Sequence, residues 1–140
     1  MVSYEPSVRD YMSKSPRFID VDSPLSDALA VMRESKSKYL PVVAGTRVVG
    51  ILKDDAVRLA KSLLGSEEFT ASDWMSSAPT VVLPNVSLYE VLDETPDNIY
   101  GCTVVQNGKG EIEGIFTPRE AFLAMQDLAQ ESRRMKQIVC

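Results

Sequence analysis

Residues 114–120 read GIFTPRE and residues 50–56 read GILKDDA. Both open on a glycine, continue with two apolar residues and pass into a polar run, so the chain states one pattern twice. A pattern stated twice makes a doubled fold the first hypothesis to test. The copies are unequal. Only the second carries a hydroxyl at its fourth position, Thr117, and a carboxylate at its seventh, Glu120.

Working outward, the duplication extends through the chain. RDYMS at 9–13 matches SDWMS at 72–76, Pro16 matches Pro79 and Leu25 matches Leu88, all at an offset of 63. LPVV at 40–43 then aligns with CTVV at 102–105 at an offset of 62, and the two GI pairs at 64. One residue is lost before the second strand and two are gained in the turn after it. The expected division is 1–66 for the first repeat with its N-terminal segment, and 67–140 for the second with the linker and a long final helix.

Each copy reads as strand, helix, strand, strand, helix. RFIDV at 17–21 predicts a strand, and PLSDALAVMRES a helix with Ser23 as N-cap and Pro24 at its first position. Leu25, Ala28, Leu29 and Met32 fall at the spacing of one helical face, which marks them as core. YLPVVA and RVVGIL are β-rich runs separated by Gly45 and Thr46, a hairpin signal. DDAVRLAKSLLG predicts a helix starting at Asp54 and stopping at Gly65.

In the second copy TVVLP is the strand and Ser87 caps a short helix holding Leu88, Val91 and Leu92. Pro96 removes a backbone donor and disfavours helix before it, so DETPDNIYG is expected to be irregular. CTVVQ, the turn NGKG, EIEGIF and a long helix from Pro118 complete the repeat.

Composition narrows the function classes. The chain has 140 residues, 44% of them hydrophobic, enough to bury a core. A net charge of −5 argues against nucleic acid as the main partner. No apolar run approaches the roughly 18 residues of a membrane span, and MVSYEPSVRD is not a signal peptide, so a cytoplasmic location is expected. Cys102 and Cys140 form no CxxC pair and read as a buried small hydrophobe and a terminal residue. The chain has no histidine, which removes the usual general base and the commonest transition-metal ligand together. An enzyme is therefore the least supported class.

The order of MS, an apolar strand, a helix-starting leucine, LPVV, and then a glycine with two apolar residues and a polar run resembles the cystathionine-β-synthase (CBS) domain, present twice. The resemblance covers roughly 8–127. It implies an α/β (α+β) fold of two β-α-β-β-α repeats packed around a pseudo-two-fold axis. It also implies a homodimer and clefts that take an adenosine-containing ligand: AMP, ADP, ATP or S-adenosylmethionine, with or without magnesium.

The family pattern at the cleft is a glycine, two apolar residues, Ser or Thr, two variable residues and Asp. Carried onto this chain, it nominates Ile115, Phe116, Thr117, Pro118, Arg119 and Glu120, with Glu in place of Asp. A carboxylate in a helix's first turn is favoured by the helix dipole and can accept hydrogen bonds from both ribose hydroxyls, while free helix-start N–H groups suit phosphate. In the first repeat Lys53 and Ala56 occupy the hydroxyl and carboxylate positions, and alanine cannot hold ribose through its side chain. Asp54 and Asp55 stand one step out of place.

The resemblance further implies that the opposite repeat completes the cleft, through Arg17, Phe18 and Ile19 and through Lys38, Tyr39, Leu40 and Pro41. Phe18 and Tyr39 are candidates to contact a base, and Arg17 or Lys38 to meet phosphate. The same residues admit plainer roles. Thr117 and Glu120 have the spacing of a capping box with Pro118 at N1, the apolar residues suit a core, and the cations suit a solvated rim.

GKGEIEG at 108–114 lacks the spacing of a phosphate loop and reads as a hairpin turn. RRMK at 133–136 suits the C-terminal end of a helix, and DETPD lacks the order of a calcium loop. Tyr11, Met12, Trp74 and Met75 are expected to pack where the repeats meet. The function expected is a regulatory module that binds an adenosine-containing ligand and signals to a protein partner, the alternative being a ligand-free dimerisation or interaction module.

Overall fold

A computed structural model describes residues 5–14, 17–64, 69–94 and 101–139, and the side chains of these except at 64, 138 and 139. The first copy forms β1 (Ile19–Asp20), α1 (Leu25–Ser35), β2 (Tyr39–Ala44), β3 (Arg47–Lys53) and α2 (Asp54–Leu64). The second forms β5 (Thr80–Val82), α4 (Leu88–Glu94), β6 (Thr103–Gln106), β7 (Ile112–Phe116) and α5 (Pro118–Val139). Ahead of them lie a 3-10 turn at Val8–Asp10 in one copy, and α3 (Ala71–Trp74) with β4 (Ser76–Ser77) in the other. The expected mixed α/β architecture is present twice.

In each copy the first strand runs parallel to the second, Ile19 opposite Val42 and Thr80 opposite Thr103, and the second is antiparallel to the third. Gly45, at φ +65°, makes the first hairpin turn, and Asn107 with Gly110, at φ +82°, makes the second. The predicted face of α1 is buried through Leu25, Ala28, Leu29 and Met32.

One local expectation is corrected. α1 begins at Leu25, with Pro24 as its extended N-cap (ψ 143°) and no side-chain cap. A proline cap offers no side-chain acceptor, and the Leu25 N–H is instead satisfied by the carbonyl of Phe69, 2.9 Å away. Ser87, in contrast, caps α4 as expected, accepting from the Tyr89 N–H at 3.2 Å. Gly65 and the Pro96 stretch lie outside the described residues.

The Leu25 contact belongs to an exchange between the repeats. Ala71 and Ser72 donate to the carbonyls of Ser23 and Val21, and in the other copy Val8 and Arg9 donate to those of Val86 and Pro84. The Leu88 N–H likewise reaches the Pro6 carbonyl. Further along, Ser76 pairs with Ile51 on β3 while Ser13 pairs with Ile115 on β7. The segment leading into each repeat is thus docked on the opposite repeat, and the two sets of contacts are equivalent under an approximate two-fold.

Packing follows the exchange. Phe69, Ala71, Trp74 and Met75 join the first repeat's core with Leu25, Leu40, Leu52 and Val57, where Trp74 meets Phe69 edge-on at 5.8 Å between centroids. Val8, Tyr11 and Met12 join the second repeat's core with Leu88, Val105 and Phe116. A third cluster joins the two sheets through Val43, Val48 and Ile51 from one and Cys102, Val104, Ile112 and Ile115 from the other.

The doubled glycine now has a steric cause. A Cβ at Gly50 would stand 2.5 Å from the Met75 sulfur and 2.7 Å from the Ser76 carbonyl oxygen. A Cβ at Gly114 would run into the Ser13 carbonyl oxygen and lie 3.0 Å from the Met12 sulfur. The repeated MS and the repeated G are two halves of one contact: a backbone crosses a strand where no side chain fits.

Candidate functional site

β7 ends at Phe116 and α5 starts at Pro118, so Thr117 is the hinge between strand and helix. Its carbonyl accepts the first helical bond from Ala121 at 3.0 Å. The Glu120 carboxylate folds back over this corner, where Oε1 accepts from the Thr117 N–H at 3.0 Å and from the Thr117 hydroxyl at 2.5 Å. Both side chains are buried, each 8% exposed. This is the reach-back half of a capping box.

The same device occurs at two other helix starts. Asp10 accepts from the Ser7 N–H and Asp73 from the Thr70 N–H, each at 2.9 Å. Those acids lie on open surface. Glu120 differs in being buried, at the edge of a cleft of about 420 Å³ that both repeats line. Its Oε2 has no hydrogen bond among the described residues, and the carboxylate lies close enough to Cys102 and Tyr39 to raise both groups' affinity for their protons.

The second repeat gives this cleft Ile115, Thr117, Pro118, Arg119 and Glu120. The first gives Ser35, Lys36, Ser37, Lys38 and Tyr39, together with Ser13 from its lead segment. Three cations therefore stand around one carboxylate at the N-terminus of α5, where free backbone donors already favour an anion. Such a volume is within the range of small-molecule sites.

The Lys36–Lys38 loop is held firmly for a loop. Lys36 takes a left-handed conformation, φ 55° and ψ 32°, and its N–H and that of Ser37 both return to the Met32 carbonyl. The Ser37 hydroxyl donates to the Tyr39 carbonyl at 2.7 Å and accepts from the Tyr39 N–H at 3.2 Å. Tyr39 lies against Gly101 with the Lys53 ammonium 6.0 Å above its ring. Burial, then the nearby Cys102 and carboxylates, pushes its phenol up from 10.0. Burial pushes the Cys102 thiol up to about 12, so it stays protonated at neutral pH and is no nucleophile.

Of the residues nominated from sequence, the structure gathers Ile115, Thr117, Pro118, Arg119 and Glu120 with Lys38 and Tyr39. The others lie elsewhere. Ile19, Leu40 and Phe116 are buried in the repeat cores, and Pro41 is fully buried because β2 is covered on both faces, by its own repeat's core and by the cluster between the sheets. Arg17 is tied to Glu34 at 2.7 Å on the surface. Phe18 is half exposed and lines a separate hollow with Val43, Thr46 and Ile112.

Sequence reading did not nominate Ser13, Ser35, Lys36 or Ser37. The signal for Ser13 was present in the repeated MS, used there as a repeat anchor. The other three belong to the SKSK run at 35–38, just before Tyr39. In the first repeat Asp54 is turned to Arg58 at 3.4 Å, and the Asp55 carboxylate accepts from the Ala56 N–H at 2.7 Å. Both acids at the mismatched motif have local work.

The sequence pattern of the CBS domain matches residues 8–62 and 71–127, once over each repeat. The chain belongs to the CBS domain family. It is a CBS pair, and solved structures agree on its fold. A putative acetoin utilization protein, AcuB, from Vibrio cholerae is 22% identical, with 94% of this chain and 98% of that one covered at a TM-score of 0.74. CBSX2 of Arabidopsis thaliana, in a structure with AMP, is 21% identical over 88% of this chain and 98% of that one, TM-score 0.67. The CBS domain of a bacterial CNNM/CorC family Mg2+ transporter, in complex with ATP, is 20% identical over 83% and 84%, TM-score 0.70. No curated protein matches the sequence. Among the described residues no helix is long and apolar enough to cross a membrane, and no group of acids and cysteines is placed to hold a metal ion.

Proposed function

We propose that this CBS pair is a regulatory module that binds an adenosine-containing ligand in the cleft between Lys36–Tyr39 and Thr117–Glu120 and passes its occupancy to a protein partner. The observation that carries this reading is the convergence, in one cleft, of three cations, a helix N-terminus and a buried carboxylate drawn from both repeats. The cations and the start of α5 suit phosphate, Glu120 suits ribose hydroxyls, and Tyr39 offers a ring face for the base. CBSX2 with AMP and the transporter domain with ATP support an adenine nucleotide for this fold.

Because the ligand would touch both repeats, it favours whichever arrangement of them closes the cleft, and that difference in affinity is what a partner can read. The reading includes a homodimer in the cytoplasm and binding without chemical turnover. Calorimetric titration with AMP, ADP, ATP and S-adenosylmethionine tests it, with and without magnesium and with adenine and GMP as controls. Saturable heat at about one site per chain is the expected result. No heat and no thermal shift at millimolar ligand would reject it.

One observation favours a second reading. Glu120 Oε1 is already occupied by its own helix cap, as the exposed Asp10 and Asp73 are at theirs. A ligand-free interaction module needs nothing more. Dimerisation unaffected by any nucleotide is its expected signature.

A further inference from the structure

The chain passes from one sheet to the other over a very short bridge. β4 ends at Ser77, paired with Gly50 in the first repeat's sheet, and β5 starts at Thr80, paired with Thr103 in the second's. Only Ala78 and Pro79 lie between them. On one side of the bridge Phe69, Ala71, Trp74 and Met75 are fixed in the first repeat's core, and on the other the second repeat's core is completed by Val8, Tyr11 and Met12.

Ala78 is held at φ 58°. The other non-glycine residue at positive φ among the described residues is Lys36, which caps α1. Ala78 ends no helix, and its methyl group offers none of the local hydrogen bonding that lets Asn or Asp settle in this region. A residue before proline is also pushed toward extended backbone. The path between the sheets thus opposes both preferences of this alanine, and straightening the bridge would satisfy both. A short connection under strain, between bodies that need each other's contacts, is the arrangement in which two chains exchange those bodies.

We infer that Ala78–Pro79 is a hinge at which this chain forms a repeat-exchanged dimer, the part before Ala78 in one copy completing the part after Pro79 in a second. The contacts across the repeats are then remade between copies: the bonds of Val8 and Arg9 to Val86 and Pro84, the pairing of Ser13 with Ile115, and the cluster that joins the sheets. The cleft becomes shared as well, with Lys36–Tyr39 from one copy and Thr117–Glu120 from the other. The inference rests on connectivity and not on the nucleotide reading. It also differs from a homodimer of closed chains, in which each copy keeps its own repeats together.

The test uses a pair of residues on opposite sides of the hinge. Ser7 and Ser87 face each other between the Val8–Val86 and Leu88–Pro6 bonds, an antiparallel pair without hydrogen bonds of its own, whose Cα atoms lie about 4.5 Å apart and within disulfide reach. The full chain carrying Ser7→Cys, Ser87→Cys and Cys140→Ser is refolded from denaturant over a range of concentrations, oxidised, and run on a non-reducing denaturing gel. A closed chain links to itself, whereas an exchanged dimer links two copies, and the linked dimer should grow with refolding concentration. Adding Ala78→Gly relieves the closed form by about tenfold at each hinge, so the dimer's formation constant should fall roughly a hundredfold. Deleting Ala78 shortens the bridge and should make the dimer predominate, which light scattering on the chain with its natural cysteines and serines reads independently of any disulfide. The inference is overturned if only self-linked chains form at every concentration, even where light scattering reports a dimer, because such a dimer is made of closed copies. It is equally overturned if Ala78→Gly leaves the linked fraction unchanged or if the chain lacking Ala78 is a monomer.

Discussion

Glu120 Oε1 closes the cap on α5 while its side chain lines the cleft, and the proposed ribose contact would place a second demand on the same carboxylate. The demands separate on substitution. Glu120→Ala leaves the Thr117 N–H and hydroxyl without their acceptor, and losing a cap of this kind costs about 0.5–2 kcal/mol of stability. If the carboxylate also holds a ribose, a hydrogen bond to a charged acceptor worth about 1.5–3 kcal/mol is lost, and affinity falls roughly 10- to 150-fold. Thermal melts and titration with whichever adenosine compound binds the parent measure the two effects. A lowered melt with unchanged affinity would leave Glu120 as a cap only. A second carboxylate gives a pH signature. Glu113 accepts from Arg9 at 3.1 and 3.2 Å and from Asn107 at 3.2 Å, and the Arg9 hydrogen bond is the main cause holding its carboxyl below the ordinary 4.5. A folded value below the unfolded one contributes stability fully above 4.5, and that contribution is lost as pH falls through the folded value. A carboxyl titration followed by NMR should place the Glu113 midpoint below 4.5, and Arg9→Ala should move it upward.

At the scale of elements, the lead segment and the strand it crosses form one contact, and glycine is the residue that permits it. Gly114→Ala drives a Cβ into the Ser13 backbone, whereas at Gly50 the nearest atom is the movable tip of Met75, with the Ser76 carbonyl oxygen next at 2.7 Å. Each alanine should destabilise by about 1–3 kcal/mol, the usual range for overpacking, and Gly114→Ala should be the costlier. Chemical denaturation of the two variants tests the order, and an equal or reversed ranking would mean that the lead segments yield more easily than their backbone contacts imply. The same elements show what a sequence can and cannot disclose. The faces of α1, the β2–β3 hairpin and the start of α5 were legible because their periodicity and punctuation are local. The pairing of Ser13 with Ile115 was not, since both partners were visible as repeats but nothing in a linear pattern says which repeat a segment leans on. Pro24 was misplaced for a related reason. Its neighbour's N–H is satisfied by Phe69, an acceptor from the other repeat's lead segment. The cleft was half legible: the motif at 115–120 marked one wall, but β2 opposite it is buried on both faces after its first residue. A one-residue step decides that Tyr39 lines the cleft and Leu40 does not.

At the scale of the whole molecule, the exchange makes the repeats interdependent in a way their separate sequence patterns conceal. Cutting between residues 66 and 67 would strip the first repeat of Phe69, Ala71, Trp74 and Met75, which fill its core, and of β4, which covers the edge of β3. It would strip the second of Val8, which is fully buried beside Leu88 and Phe116, and of the Ser13 bridge to β7. Each half would also expose its side of the third cluster, where Ile51 and Val48 meet Cys102, Val104 and Ile115. Chains this small have little stability in reserve, roughly 5–15 kcal/mol for a whole domain, and each missing large core residue removes several. Fragments 1–66 and 67–140 should therefore be largely unfolded alone by circular dichroism, and the intact chain should unfold in one transition. Mixing the fragments should restore helical signal, because every deleted contact is available from the other piece. A cooperative melt from either fragment by itself would mean that the lead segments are accessories. That outcome would also weaken the route by which a ligand at Thr117–Glu120 could be felt in the first repeat, since the Ser13–Ile115 pairing beside the cleft belongs to that exchange.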